Sequence, residues 1–161
     1  MLSTLLSDIK VRLLDQVSGL RDGDPDDGEP TLPDGSTVPI FRETTPDAFG
    51  LIDQEMLQAP GLALLLSFSD SSDGKKNLSL PRFAKELVVT IFANPVQYNG
   101  TLNGLDLSEA VLFALHHWSW GPDLSSLFRI VDDPLDLSIR TDGLYLYTVQ
   151  LRTDITIKPT A

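Results

Sequence analysis

The chain has 161 residues, of which 42% are apolar, and it carries a formal net charge of −11 with no cysteine. This length and apolar content suit one domain with one core, and the missing cysteines exclude a disulfide framework, thiolate zinc sites and a thiol nucleophile. The acidic balance disfavours non-specific binding to nucleic acid, which needs clustered Lys and Arg. It leaves open an acidic surface that only aids solubility and an acidic wall along which DNA slides without sticking.

The first residues predict an amphipathic helix and do not resemble a signal peptide. The start, MLSTLLSDIK, has neither the basic head nor the long apolar run of a signal peptide. The longest apolar run, residues 61–66, is far too short to span a bilayer, so we expect no membrane association. Residues 2–18 predict a helix that Gly19 can end. Its apolar stripe consists of Leu2, Leu5, Leu6, Ile9, Leu13 and Val17.

The next stretch, residues 20–35, is rich in acids, proline and glycine and predicts a mobile surface loop or extended arm. Asp22, Asp24 and Asp26 alternate as ligands do in a calcium-binding EF-hand loop. However, that loop needs glycine at its sixth position, where Asp27 stands, and a carboxylate at its twelfth, where Pro33 stands. The pattern therefore disfavours a calcium site.

Three strands and a short helix are predicted in the first half of the chain. Residues 36–42 suggest a short strand that Pro39 would keep at a sheet edge. Residues 47–57 suggest a short helix, weakened by Gly50 and ended by Pro60-Gly61. Residues 62–68 and 82–93 are apolar on both faces, which is typical of central strands covered on both sides.

Residues 101–121 give the best helix signal, and we expect the rest of the chain to be organised around them. The acidic Asp106 and Glu109 lie near the start of this helix and His116 and His117 near its end, as the helix dipole favours. The main apolar stripe consists of Leu107, Ala110, Val111, Ala114, Leu115 and Trp118. A second apolar patch of Leu105, Leu112 and Phe113 lies on the back of the helix. We predict it as a candidate subunit interface, covered either by a neighbouring subunit or by the first helix.

The last third of the chain predicts strands. Residues 127–131 and 135–140 suggest two strands broken at Asp132-Asp133-Pro134, and residues 144–157 suggest a closing strand long enough that it must bend, bulge or project beyond its sheet. A parity argument fixes the last turn. A three-residue loop at residues 141–143 pairs Ile139 with Tyr145 and aligns the apolar faces, whereas a two-residue turn would misalign them.

No catalytic set can be named. Adjacent histidines on a helix point about 100° apart, so His116 and His117 are ill placed to share one metal. Trp118 and Trp120 are more typical of core or interface anchors than of a ligand platform. The nucleophile-elbow, phosphate-loop and dinucleotide motifs are absent from the sequence. We therefore expect no enzyme activity, no cofactor and no metal.

Together these elements predict an α+β fold, in which an N-terminal helix and a central helix pack on a mostly antiparallel twisted sheet, in a single domain over residues 1–161. The order of elements resembles the tail-terminator or tail-completion proteins of tailed bacteriophages, including the Mu-like Gp37 group. The resemblance rests on the N-terminal helix, the Pro-Gly-led strand APGLALLL at residues 59–66, the strand at residues 86–93, the helix at residues 105–118, and the hairpin with Asp142-Gly143. The acidic arm and the polar insertion at residues 69–77 depart from the shortest members.

The resemblance implies a structural role in the virion. Such proteins form a ring, typically a hexamer, that caps the tail tube, stops its polymerisation and presents a surface to the head connector. The implied partners are further copies of the chain, the tail tube protein and the head-connector protein, with DNA passing through the lumen without specific binding. Assembly in the host cytoplasm follows from the same resemblance. A head–tail connector or baseplate protein of similar plan is the alternative, and a carboxylate-dependent hydrolase using Asp132, Asp133 and Glu109 is a third.

Overall fold

A computed structural model describes residues 2–24, 37–70, 82–98, 102–121 and 127–156. These residues form three helices, α1 (Leu2–Gln16), α2 (Ala48–Met56) and α3 (Gly104–Leu115), and six strands. The strands are β1 (Leu20–Asp22), β2 (Val38–Arg42), β3 (Leu62–Asp70), β4 (Arg82–Ala93), β5 (Arg129–Ile139) and β6 (Tyr145–Thr156). A 3-10 turn, Pro95–Gln97, follows β4.

The strands form one sheet in the order β1-β2-β3-β4-β6-β5. The long strands β3, β4, β6 and β5 pair antiparallel, while β1, β2 and β3 pair parallel. The predicted fold class is confirmed: the protein is α+β, with the N-terminal and central helices packed on a mostly antiparallel sheet.

Both faces of the sheet centre are covered, as the apolar runs of β3 and β4 predict. On one face, Leu64 of β3 and Ile91 of β4 pack with α1 and α3 in the main core. On the other face, Leu65 and Phe92 pack against Ile52 of α2 in a smaller core. The even- and odd-numbered residues of β3 thus enter different cores, because successive side chains of a strand point to opposite faces.

The prediction that Pro39 keeps its strand at a sheet edge is wrong, since β2 lies between β1 and β3. Val38 donates its N–H to Gly19 and the Ile40 carbonyl accepts from Gly23, so the even-numbered residues of β2 hydrogen-bond to β1. The missing N–H of Pro39 therefore points to the β3 side, where pairing begins only at Ile40. A proline is tolerated there because no ladder hydrogen bond is lost.

The acidic stretch at residues 20–35 is not only a loop. Its first residues form β1, which pairs with Val38, Pro39 and Ile40 of β2. Residues 25–35 of the predicted arm lie outside the described residues, as do residues 71–81, which include most of the polar insertion.

The hairpin register is confirmed. Ile139 pairs with Tyr145 and Leu137 with Tyr147, and Gly143 has a φ of 86° in the left-handed region that the three-residue loop requires. The predicted break before this hairpin is corrected to a bulge. A single strand, β5, runs through it, with a register shift between Ile130 and Leu135 and a φ of 52° at Asp133.

The long closing strand does not project past its neighbour. β6 pairs with β4 from Tyr145 to Thr156, and β4 is as long as β6. Of the three predicted alternatives (a bend, a bulge or a projection), the projection is not seen in the described residues, because β4 and β6 satisfy each other's backbone groups over their whole length.

The central helix is shorter than predicted. Its first turn is capped by Asn103, whose side chain accepts a hydrogen bond from the Asp106 N–H, and α3 ends at Leu115. The two histidines follow the helix, and His117 adopts a φ of 62°. Beyond it, the Phe128 N–H donates to Trp118 and the His117 N–H to Phe128, which turns the chain away from the helix axis.

Candidate interaction surfaces

The second apolar patch of α3 is largely exposed. The side chain of Phe113 is 89% exposed and that of Leu105 52%, while Leu112 is half-buried against the main core. Phe113 lines a cleft between α3 and α1 together with Arg12 and Glu109. The first helix therefore does not bury Leu105 or Phe113, and the described residues hold no cover for them.

Edge strand β5 adds to this apolar surface. Leu137 is 48% exposed and Ile139 63%, and Ile130 is also exposed. Leu137 is the cross-strand partner of Tyr147, and α3 begins so close to the Tyr147 ring that a Cβ on Gly104 would meet it at 2.2 Å. The start of α3 and the exposed side of β5 thus lie next to each other on one face of the sheet.

We call these exposed residues of α3 and β5 the outer apolar surface. It consists of Leu105, Phe113, Ile130, Leu137 and Ile139. The second apolar stripe of α3 predicted the helical part of this surface. The strand part was not predicted, because apolar alternation indicates which face of a sheet a side chain lies on and not whether a helix covers that face.

The histidines lie together but show no metal site. The rings of His116 and His117 have centroids 3.7 Å apart, at the end of α3. Burial, together with the neighbouring His117, lowers the pKa of His116 below its ordinary value. Within the described part of the chain, no group of three or more His, Asp or Glu side chains is placed to hold a metal ion.

The two tryptophans line a cleft of about 430 Å³ between α1 and the segment that follows α3. We call it the Trp cleft, and it is lined by Asp8, Val11, Arg12, Asp15, Trp118 and Trp120. Both indole rings are half-buried and packed against the main core. Each indole ring is therefore partly packed against the core and partly exposed in the cleft, as is typical of residues that anchor an interface.

A buried ion network joins α1 to β1 and β2. The Lys10 Nζ donates to Asp22 and Asp24 at 2.9–3.0 Å, and the Arg42 Nε donates to Asp24 at 2.8 Å. Thr45 donates its hydroxyl to the other oxygen of Asp24. Two of the three alternating aspartates considered for calcium thus bind a buried lysine, and Asp26 lies outside the described residues.

The pKa values in the network follow from these contacts. Burial alone would raise the pKa of Asp24, but hydrogen bonds from Thr45 and Lys10 outweigh it, and the pKa is lowered. Burial alone would lower the pKa of Lys10, but its hydrogen bonds to Asp24 and Asp22 raise it. Because charges of both signs are satisfied, the network serves to hold the elements together.

The carboxylates suggested for a hydrolase do not form a site in the described residues. Asp133 is exposed on the bulge of β5, Glu109 is exposed on α3, and the side chain of Asp132 lies outside the described residues. Of the described helices, none is long and apolar enough to cross a membrane.

No model of a protein family matches the sequence, and no curated protein matches it at a significant level.

Proposed function

We propose that this protein is a structural subunit of a bacteriophage tail, which forms a hexameric ring on the end of the tail tube. In this role it stops tube polymerisation and presents a surface to the head connector, with DNA passing through the lumen. It works through shape and symmetry, without catalysis or a cofactor. Its place is the tail of the virion, after assembly in the host cytoplasm.

The arrangement of elements supports the proposal. The N-terminal helix, the strand that follows Pro60-Gly61, the central helix and the closing hairpin carry the resemblance to tail-terminator proteins. All four exist as α1, β3, α3 and the β5–β6 hairpin, and both helices pack on one sheet. This fold is compatible with the resemblance, while the proposed function rests on the outer apolar surface.

The outer apolar surface is the observation that carries the proposal. It includes the start of α3 and β5, which is an edge strand of the sheet formed by the described residues, while Phe113 lies on the side of α3 that faces α1. Edge strands with exposed apolar side chains are prone to associate with other chains. Burying one Leu, Ile or Phe side chain contributes about 1.5–3 kcal/mol. A head-to-tail contact that uses such a surface on one subunit and a different surface on the next generates a closed ring when the rotation closes.

The net charge of −11 suits the same role. A ring that lines a DNA channel with carboxylates repels the phosphate backbone and so lets the DNA pass. The sequence supplies about twice as many acids as bases, 23 against 12.

Replacing Leu137 by Asp tests the proposal. Leu137 lies on an edge strand and is half exposed, so the fold should persist, whereas a carboxylate buried in a subunit contact without a partner should prevent the ring from forming. The matched control is Leu57→Asp, at a residue that is 79% exposed after α2, on the opposite face of the sheet. Negative-stain microscopy of the chain mixed with tail tubes gives the readout. Equal ring formation by both variants would contradict the proposed interface.

A further inference from the structure

The Trp cleft holds two aromatic rings in fixed positions. Trp118 stacks on the buried Phe128, with ring centroids 5.9 Å apart and planes 8° from parallel. The Trp120 Nε1–H donates to the Oγ1 of Thr153 at 2.9 Å, and Thr153 is itself buried. Because these contacts fix both indole rings, a ligand that binds in the cleft does not have to bear the entropic cost of ordering them.

The cleft already accommodates one cation. The guanidinium carbon of Arg12 lies 5.8 Å from the centroid of the Trp118 ring, within the range of a cation–π interaction. The Nε of Arg12 donates to the carbonyl of Ala114 at 3.1 Å, which fixes this side chain beside the ring. Arg12 and Phe128 therefore both contact the Trp118 ring, so a further cation in the cleft would have to be bound by carboxylates.

Two carboxylates line the same cleft. Asp8 and Asp15 lie four residues before and three residues after Arg12 on α1, so all three share one side of the helix. Both are exposed, and within the described residues neither forms an ion pair. With two carboxylates against one guanidinium, the charges lining the cleft sum to −1 at neutral pH.

We propose that the Trp cleft binds a segment of another protein through a Lys or Arg side chain flanked by apolar residues. The cation meets Asp8 and Asp15, and its apolar neighbours pack on Val11 and the indole rings. Charge complementarity carries this assignment, since an acidic partner would be repelled and a purely apolar one would leave the carboxylates desolvated. The cleft involves none of the outer apolar surface, so the assignment goes beyond the ring and does not depend on it.

Tryptophan fluorescence gives a direct test, because the chain contains only two tryptophans and both line the cleft. The full chain is titrated with an acetylated, amidated peptide Gly-Leu-Arg-Leu-Arg-Gly, and in parallel with its Glu counterpart, Gly-Leu-Glu-Leu-Glu-Gly. We expect saturable binding of the Arg peptide that weakens as salt is added, and no binding of the Glu peptide.

The double variant Asp8→Asn with Asp15→Asn should bind the Arg peptide about two- to thirtyfold more weakly, given the usual contribution of two exposed carboxylates. The matched control is Asp53→Asn, an exposed carboxylate on α2, which should bind like the unaltered chain. Both variants change only exposed side chains, and circular dichroism checks that each is folded.

Three results would overturn the proposal: equal binding of the two peptides, equal binding by the double variant and the control, or self-association of the chain that the double variant abolishes. The last would mean that a second copy occupies the cleft. If the chain bound the Arg peptide but formed no ring on tail tubes, only the proposed function would be refuted. If it formed the ring but did not bind the peptide, only the assignment of the cleft would be refuted.

Discussion

Replacing Asp24 by Asn should strongly destabilise the fold. Asp24 is 7% exposed and accepts hydrogen bonds from Lys10, Arg42 and Thr45, which belong to three different segments. The amide cannot balance the two cations, so a buried lysine loses half of its counter-charge. Removing one partner of a buried ion pair costs about 3–5 kcal/mol, a large part of the total stability of a domain, which is about 5–15 kcal/mol.

Two further carboxylates provide a graded series. Asp22 also binds Lys10 but is 34% exposed, so Asp22→Asn should cost about 1.5–3 kcal/mol, and water should bring the cost to the low end of that range. Asp142 pairs with Arg140 at the hairpin turn and is 47% exposed, so Asp142→Asn should cost less than about 1 kcal/mol. All three changes remove one charge and keep the size of the side chain.

Urea unfolding at pH 7, followed by circular dichroism, measures the series. The free energy of unfolding should fall in the order Asp142→Asn, Asp22→Asn, Asp24→Asn, with unchanged dependence on urea. A loss below about 1 kcal/mol for Asp24→Asn would show that this carboxylate is not the centre of a buried ion network.

Three other predictions follow from single contacts. Because the pKa of Asp24 is lowered in the folded state, its contribution to stability is present above the ordinary pKa of 3.8 and is lost as the pH falls through the lower folded pKa. Asp24→Asn should therefore make the free energy of unfolding less dependent on pH between pH 5 and pH 2. Gly104→Ala should cost about 1–3 kcal/mol in thermal unfolding, since the new Cβ would overlap the Tyr147 ring, and an unchanged melting temperature would contradict this close approach. Trp120→Phe should cost about 1–3 kcal/mol in urea, because it leaves the buried Thr153 hydroxyl without its donor; a Thr153→Val change in the same background should recover part of that loss.

Local patterns predicted the centre of the fold well. Three features depend only on residues that are close together in the sequence, so the spacing of their apolar side chains predicts them. These are the apolar faces of β3 and β4, the amphipathic stripe of α1 and the register of the last hairpin. The observed bounds of β4, Arg82–Ala93, are those expected from its β-branched run.

Long-range pairing was not predicted. The parallel contacts of β2 with β1 and β3 depend on how distant segments meet, and Pro39 alone suggested an edge. The ion network was missed as well, although one signal was present. Lys10 stands four residues after Leu6 and three before Leu13, inside the apolar stripe of α1, where a charge requires a buried partner.

The exposure of the apolar side chains on α3 and β5 was predicted only for α3. The second stripe of α3 led to Leu105 and Phe113, which are exposed, and to Leu112, which packs on the core. The pattern of β5 could not reveal that its apolar side chains stay uncovered, because that depends on where α1 and α3 lie across the sheet. His116 and His117 were considered as metal ligands only because of their residue type.

In the proposed role, copies of this chain close into a ring on the tail tube. Electron microscopy of tail tubes assembled from the tube protein of the same genome, with and without the purified chain, would reveal such a ring. The proposal predicts a six-subunit ring at one end of each tube and tubes that no longer lengthen. A chain that remains monomeric at high concentration, does not bind tube ends and leaves tube growth unchanged would contradict it.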